Sequence, residues 1–251
     1  MDEAPPVPLP RPLRVVFVHG AWHGAWCWSA LQAELDHRGV ASYAIDLPGH
    51  GISTLPLGDL HGDAAHVRAA IDAIGHDVVL VGHSYGGAVI TEASAGSAHV
   101  RHLVYLTAFV PDVGEGVSSL LLSMPRASIA LSEAVVLRDD GNTVLDPGRA
   151  AAALYGNCPS EVIAAAVERL SPQPGATFAQ TVTAAGWATI ESTYVRCTLD
   201  EAIHIDHQTI MSSRCSEVLS VETDHSPFVS AVGSTADIIE SAARRAGGSS
   251  T

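Results

Sequence analysis

Residues 82–87 read Gly-His-Ser-Tyr-Gly-Gly. The pattern sets Ser84 between two glycines, after an apolar β-branched run (Asp77 to Val81) and before a helix-compatible one (Gly86 to Ala95). In that strand–turn–helix context the motif is a nucleophile elbow. The serine is held in a strained backbone geometry, so Gly82 and Gly86 lack side chains, and its hydroxyl is lifted above a sheet. The helix that follows points its N-terminus at the same spot, which favours developing negative charge.

A serine hydroxyl is a weak nucleophile until a base takes its proton. His225, in Thr223-Asp224-His225-Ser226-Pro227, stands between the last strand-like and the last helix-like run. The chain order Ser, then Asp or Glu, then His gives the base that place. His83 flanks the serine but points elsewhere in an elbow. His204 and His207 sit nearer an acid position, and His19, His23 and His50 lie on other loops of the same edge. A third group must orient the imidazole and stabilise its cation. Asp200, which follows the run Ser192 to Cys197, is the choice; Glu201 and Asp112 are the alternatives, while Asp206 and Asp224 read as a helix cap and a loop acid. An oxyanion needs two backbone N–H donors. Tyr85 supplies one, and Ala21, in His19-Gly-Ala-Trp-His-Gly24, the other, with Gly20 letting the backbone turn.

These residues need a scaffold that brings distant segments to one edge. Arg14 to His19, Ala41 to Asp46, Asp77 to Val81 and Val100 to Thr107 read as buried strands. Helical runs alternate with them at Ala25 to Arg38, Leu60 to Ile74 and Gly86 to Ala95. Apolar strands alternating with helices predict a parallel sheet covered on both faces, with ligands at the carboxyl ends of its strands. Residues 111–187 break the rhythm: a hairpin over Val135 to Leu145, then helices over Pro147 to Tyr155 and Ser160 to Leu170. This stretch reads as a cap inserted above the sheet edge. The pattern resumes with a strand at Ser192 to Cys197, a helix at Ile205 to Ser213, a strand at Glu217 to Val221 and a helix at Pro227 to Arg245. The core is thus 1–110 with 188–251. Residues 1–13, with five prolines, read as an unstructured lead-in, and Gly247 to Thr251 as a loose tail.

The 251 residues carry a formal charge of −14, with Lys and Arg totalling 13 against 27 Asp and Glu. Such a chain is a poor partner for nucleic acid or anionic membrane. All the basic residues are arginine. A P-loop lysine, a Schiff-base lysine and a Ser–Lys dyad are therefore excluded. Cys27, Cys158, Cys197 and Cys215 show no C-x-x-C or zinc-ligand spacing, so the expectation is reduced thiols, a cytoplasmic protein and no metal. The N-terminus has no apolar h-region, and no run of 18 apolar residues occurs, so neither a signal peptide nor a membrane helix is expected.

The motifs His19-Gly-Ala-Trp-His-Gly-Ala-Trp-Cys-Trp28, Asp46-Leu-Pro-Gly-His-Gly51, Gly82-His-Ser-Tyr-Gly-Gly87 and Asp224-His225 resemble the α/β-hydrolase superfamily. The first of them, with Cys197-Thr-Leu-Asp-Glu-Ala-Ile203 and Ala153-Leu-Tyr-Gly-Asn-Cys-Pro-Ser160, resembles its branch of plant methyl-ester esterases, hydroxynitrile lyases and bacterial carboxylesterases. The resemblance covers residues 14–245. It implies an α/β-hydrolase fold with a mainly parallel sheet of about six strands, no cofactor, Ser84 as nucleophile, His225 as base and Asp200 as acid. The lyases of this branch tend to carry threonine where Gly20 stands and lysine where Ser226 stands, which speaks against lyase chemistry here. Dehalogenases and epoxide hydrolases of the superfold use an Asp nucleophile, so Ser84 argues against both.

The expected function is cleavage of a small, mostly apolar carboxylic ester through an acyl-enzyme. Leu120, Leu121, Leu122, Met124, Leu154, Tyr155, Phe178 and Trp187 are the candidate pocket residues from the cap. A thioesterase, a lactonase or a cyclising tailoring enzyme would use the same machinery; a slow-turnover ligand receptor would keep the fold. The expected partner is a small-molecule ester, with a homodimer possible.

Overall fold

Strands β1 (Arg14–Val18) and β2 (Ser42–Ile45) open the chain, linked by a 3-10 turn (Ala25–Trp28) and α1 (Ser29–His37). The computed structural model describes residues 13–248. The expected lead-in, apart from Leu13, lies outside them, as does the tail beyond Gly248. Helix α2 (Leu60–Ile74) leads to β3 (Val78–Ser84), α3 (Tyr85–Ser94) and β4 (Val100–Ala108). An insertion follows, with α4 (Val117–Ser123), α5 (Leu131–Ala134), β5 (Val135–Leu137), β6 (Asn142–Leu145), α6 (Pro147–Leu154), α7 (Ser160–Val167), β7 (Gln173–Pro174) and α8 (Ala176–Ala179). The alternation then resumes through β8 (Ser192–Cys197), α9 (Ile205–Ser212), β9 (Glu217–Val221), α10 (Pro227–Ser230) and α11 (Val232–Gly248).

Six strands form one wholly parallel sheet in the order β2-β1-β3-β4-β8-β9. The central strands carry continuous apolar stretches, Val15 to Val18 in β1, Val78 to Val81 in β3 and Leu103 to Leu106 in β4, because both faces of the sheet are covered there. Val16, Val18, Leu80 and Tyr105 face the layer that holds α2 and α3, while Val15, Phe17, Val79, Val81 and Leu106 alternate onto the layer of α1 and α11. The order reverses at β1, which has β2 on one side and β3 on the other, so a crevice opens above the carboxyl ends of β1 and β3. That places the loop after β1 beside the turn after β3.

Local chemistry sets the helix ends. The Asp59 carboxylate accepts from the Gly62 N–H at 2.8 Å, and Gly75, at φ 61°, closes α2. The expected single helix from Pro227 is broken: Ala231, at φ −141° and ψ 47°, leaves the helical region. At this break the Ser230 hydroxyl donates to Asp224 Oδ1 at 2.6 Å and ties the short first turn to the preceding loop. At the other end α11 takes in Gly247 and Gly248, the first residues of the expected loose tail.

In the insertion, the predicted hairpin pairs β5 with β6, and β7 adds a third strand from beyond the helices. The predicted helices end earlier than expected, at Leu154 and Val167, and α4, α5 and α8 are additional. No helix among the described residues is long and apolar enough to cross a membrane.

Candidate active site

Ser84 closes β3 at φ 52° and ψ −121°, a region costly for a residue with a side chain. The glycines around it serve close approach rather than unusual dihedrals. A Cβ on Gly82 would lie 2.6 Å from the Gly86 carbonyl oxygen, and one on Gly86 would lie 2.6 Å from the carbonyl oxygens of Val18 and His19. A Cβ on Gly20 would lie 2.9 Å from Ser84 Cβ, so the loop after β1 rides directly on the elbow.

The strand beside the elbow carries a bulge. His83 pairs with Leu106 and Ser84 with Ala108, which leaves Thr107 as the extra residue, at φ 39°. A bulge re-aims a side chain. Here the Thr107 hydroxyl turns to donate to Asp200 Oδ2. Asp200 follows β8 and is buried. Its Oδ1 accepts the N–H groups of Ala202 at 2.6 Å and Ile203 at 2.8 Å. Its Oδ2 accepts from Gln208 Nε2 at 3.4 Å and, at 2.7 Å, from Nδ1 of His225 on the loop after β9. The carboxylate is thus saturated with donors, and the imidazole is fixed with Nδ1 toward the acid.

The other acids go elsewhere. Asp224 builds the His225 loop, accepting from Ser226 N at 3.0 Å and, across to the insertion, from Asn157 N at 2.7 Å. Glu201 is exposed, and Asp112 accepts from its neighbour Val113 N. Asp206 lies at the start of α9 as expected, but the cap there is the His204 ring, which accepts the Asp206 N–H at 3.2 Å.

The other histidines of this edge bond elsewhere. His83 Nε2 donates to the His225 carbonyl at 2.8 Å, and their rings are 4.5 Å apart. His19 Nε2 accepts the Leu47 N–H at 3.1 Å, His23 meets the Tyr155 hydroxyl at 2.6 Å, and His50 Nδ1 donates to the Pro48 carbonyl at 3.0 Å. His207 Nε2 donates to the Pro125 carbonyl at 2.7 Å. Burial holds His19 and His83 well below the ordinary imidazole value and takes His23 to about 4, with neighbouring histidines adding to the effect. His50 is lowered by burial too. Among the described residues no group of three or more His, Cys, Asp or Glu is placed to hold a metal ion.

Ser84, Ala21 and Tyr85 together line a cavity of about 270 Å³. Tyr85 opens α3, and the first N–H groups of a helix have no partner within it. Of the expected pocket residues, Leu121 and Phe178 line this cavity. Met124 and Leu154 are buried in the core instead, because α4 and α6 turn those faces inward. Leu120 is buried with them and Leu122 is exposed. Tyr155 is drawn to His23, and Trp187 donates its indole N–H to the Pro111 carbonyl at 2.9 Å, so neither reaches the cavity. The walls that sequence reasoning missed include Trp22, Phe109, Val117, Leu131, Val135 and Ile203. Their apolar character was visible, but they come from the β1 and β4 loops, from short helices without a full amphipathic period, from the start of β5 and from the turn after Asp200.

One more carboxyl stands close by. Asp63 of α2 is buried and accepts from the Tyr85 hydroxyl at 2.7 Å; burial pushes its pKa up to about 7.

Comparison with known proteins places this geometry. The sequence profile of the alpha/beta hydrolase family matches residues 15–238. Alpha/beta hydrolase nvfD of Aspergillus novofumigatus is 29% identical over 232 residues, 86% of this chain and 90% of that protein. Methylesterase 9 of Arabidopsis thaliana is 28% identical over 236 residues, 86% of this chain and 92% of its own length. A carbendazim hydrolyzing esterase of Nocardioides sp. is 40% identical over 117 residues, 45% of this chain and 47% of that one. The crystal structure of a pyrethroid hydrolase from Sphingobium faniae JZ-2 superposes with a TM-score of 0.82 at 23% identity, covering 92% of this chain and 97% of that one. With a profile spanning residues 15–238, two relatives matched over 86% of the chain and six parallel strands carrying a strained serine at the switch point, the chain belongs to the alpha/beta hydrolase family.

Proposed function

We propose that the chain is a serine carboxylesterase acting on a small, mostly apolar ester, with Ser84 as nucleophile, His225 as general base and Asp200 as its orienting acid. The observation that carries this reading is the 2.7 Å contact of His225 Nδ1 with a donor-saturated Asp200, at the edge where a strained Ser84 faces an apolar cavity. The relatives named as esterases support ester chemistry. The cavity, at about 270 Å³, suits an ester of modest size. The insertion at 111–187 serves as its cap, supplying Leu121, Leu131, Val135 and Phe178 to the wall.

In this mechanism Ser84 Oγ attacks the ester carbonyl carbon and its proton passes to His225 Nε2. The electron pair of the carbonyl moves onto oxygen, which is held by the N–H groups of Ala21 and Tyr85. His225, its cation stabilised by Asp200, then protonates the departing alcohol. Water repeats the sequence on the acyl-enzyme and frees the acid.

The test is hydrolysis of p-nitrophenyl esters from acetate to decanoate, with Ser84→Ala run in parallel. The expected result is a chain-length optimum in the short to middle range that falls by several orders of magnitude in Ser84→Ala. Equal rates in the two proteins would overturn the assignment of Ser84. Inactivity of folded wild type on every ester would turn the reading toward a specialised tailoring enzyme or a ligand receptor.

A further inference from the structure

We propose that Gln173, in the insertion, is a positioning residue for the oxyanion hole, a role that rests on the esterase reading above. Trp22, the residue after Ala21, stands at φ 63°, where a bulky side chain is rarely found. A residue persists there only when its surroundings hold it, and for Trp22 the hydrogen-bonding partners come from the insertion. Its backbone N–H donates to Gln173 Oε1 at 3.3 Å. Its carbonyl accepts the Ser171 N–H at 2.8 Å, and its indole N–H donates to Thr143 Oγ1 at 3.1 Å.

Gln173 is the hub of these contacts. It has no exposed surface. It pairs with Thr143 across β6 and β7, and its carbonyl accepts the Thr143 hydroxyl at 3.0 Å. Its Nε2 donates to Thr177 Oγ1 at 3.0 Å, and Thr177 faces the Tyr85 phenol. One buried amide therefore reaches toward both segments that supply oxyanion donors: the Ala21–Trp22 peptide directly, and Tyr85 through α8. The insertion both roofs the cavity and sets the shape of the site beneath it.

Such a role shows in the transition state rather than in ground-state binding. The probe is an aryl trifluoromethyl ketone. Ser84 Oγ adds to its carbonyl carbon, the serine proton goes to His225, and the carbonyl electron pair becomes an oxyanion lodged in the hole. Gln173→Met keeps the volume and removes the bonds to Trp22 N and Thr177, together with the side-chain contact to His50. The expected result is a fall in kcat of about 10- to 100-fold, a parallel rise in the inhibition constant of the ketone, and KM within about twofold of wild type. Gln173→Glu, which keeps an acceptor for the Trp22 N–H, recovers at least part of both losses. If Gln173→Met does not fold, Thr143→Val, which removes the acceptor of the indole, carries the same expectation at about three- to tenfold.

A changed KM with kcat and ketone affinity intact would overturn the proposal, as would variants that match wild type in all three. Loss of stability without a change in kcat or ketone affinity would do so too. If Ser84→Ala proved as active as wild type, the esterase reading itself would have failed. Wild-type turnover through Ser84 beside an unaffected Gln173→Met would sink only the positioning role.

Discussion

His83 Nε2 and the backbone oxygen of His225 are joined by a hydrogen bond of 2.8 Å, so the residue before Ser84 holds the loop that carries His225. Both are buried. The bond crosses 142 residues of sequence and sets the distance between the two halves of the site. His83→Phe keeps a ring of similar size and deletes the donor. The His225 carbonyl is then left unpaired, which costs about 1–3 kcal/mol of stability. If His225 is the base proposed above, turnover falls by about tenfold or more as its ring drifts. Thermal unfolding and steady-state kinetics on one preparation check both effects.

Four imidazoles, those of His19, His23, His50 and His83, are buried in their neutral form with pKa values pressed below the ordinary one. The native state resists the protons that the unfolded chain accepts near 6.5. Stability is therefore complete above that pH and is lost as pH falls toward about 4, the value for His23. Denaturant unfolding between pH 7 and 4 is expected to lose up to about 1.4 kcal/mol per pH unit for each such group. His23→Gln, which lacks the titrating ring, flattens the slope by about one proton. An unchanged slope in that variant rules out its share.

Asp63 acts in the opposite sense. Its folded pKa, raised by burial to about 7, lies above the ordinary 3.8. Its contribution is fully present below 3.8 and is lost as pH rises through 7. Asp63→Asn keeps an acceptor for the Tyr85 hydroxyl and carries no charge. The variant is expected to gain on wild type between pH 4 and pH 8 by a few kcal/mol, at about 1.4 kcal/mol for each pH unit that separates the folded from the unfolded value. Chemical denaturation at the two pH values measures the gain; a constant difference between the proteins contradicts it.

Leu121 lines the cavity from α4 and is part-exposed at its mouth. Leu121→Trp shortens the acyl space without touching Ser84. Activity on the longest accepted ester is expected to fall by about 10- to 200-fold, while acetate is hydrolysed at the wild-type rate. A uniform loss across chain lengths places Leu121 outside the acyl path.

The sheet was legible because β1, β3 and β4 each carry a run of four apolar residues (Val15 to Val18, Val78 to Val81, Leu103 to Leu106), the pattern of strands covered on both faces. Ser84, Asp200 and His225 were readable as candidates because each ends or follows a strand, and the carboxyl ends of parallel strands meet at one edge. The cavity wall was not. Met124 and Leu154 show the same apolar spacing as Leu121, and whether such a residue faces core or cavity depends on how α4 and α6 dock. Gln173 carried no signal at all: a polar residue between two prolines reads as surface loop, and only the distant pairing with Thr143 buries it.

Trp22, Ser84 and Thr107 are the non-glycine residues among those described that stand at positive φ, and they follow β1, end β3 and bulge from β4 at one edge. A protein selected for heat resistance alone would relax this edge first, since glycine at any of the three sites removes the backbone strain. Each relaxation would also discard a hydroxyl or an indole that the chemistry leans on. Thermal hardening without loss of turnover is therefore expected at the opposite, amino-terminal rim of the sheet, where Arg101 pairs with Asp77 at 2.9 Å.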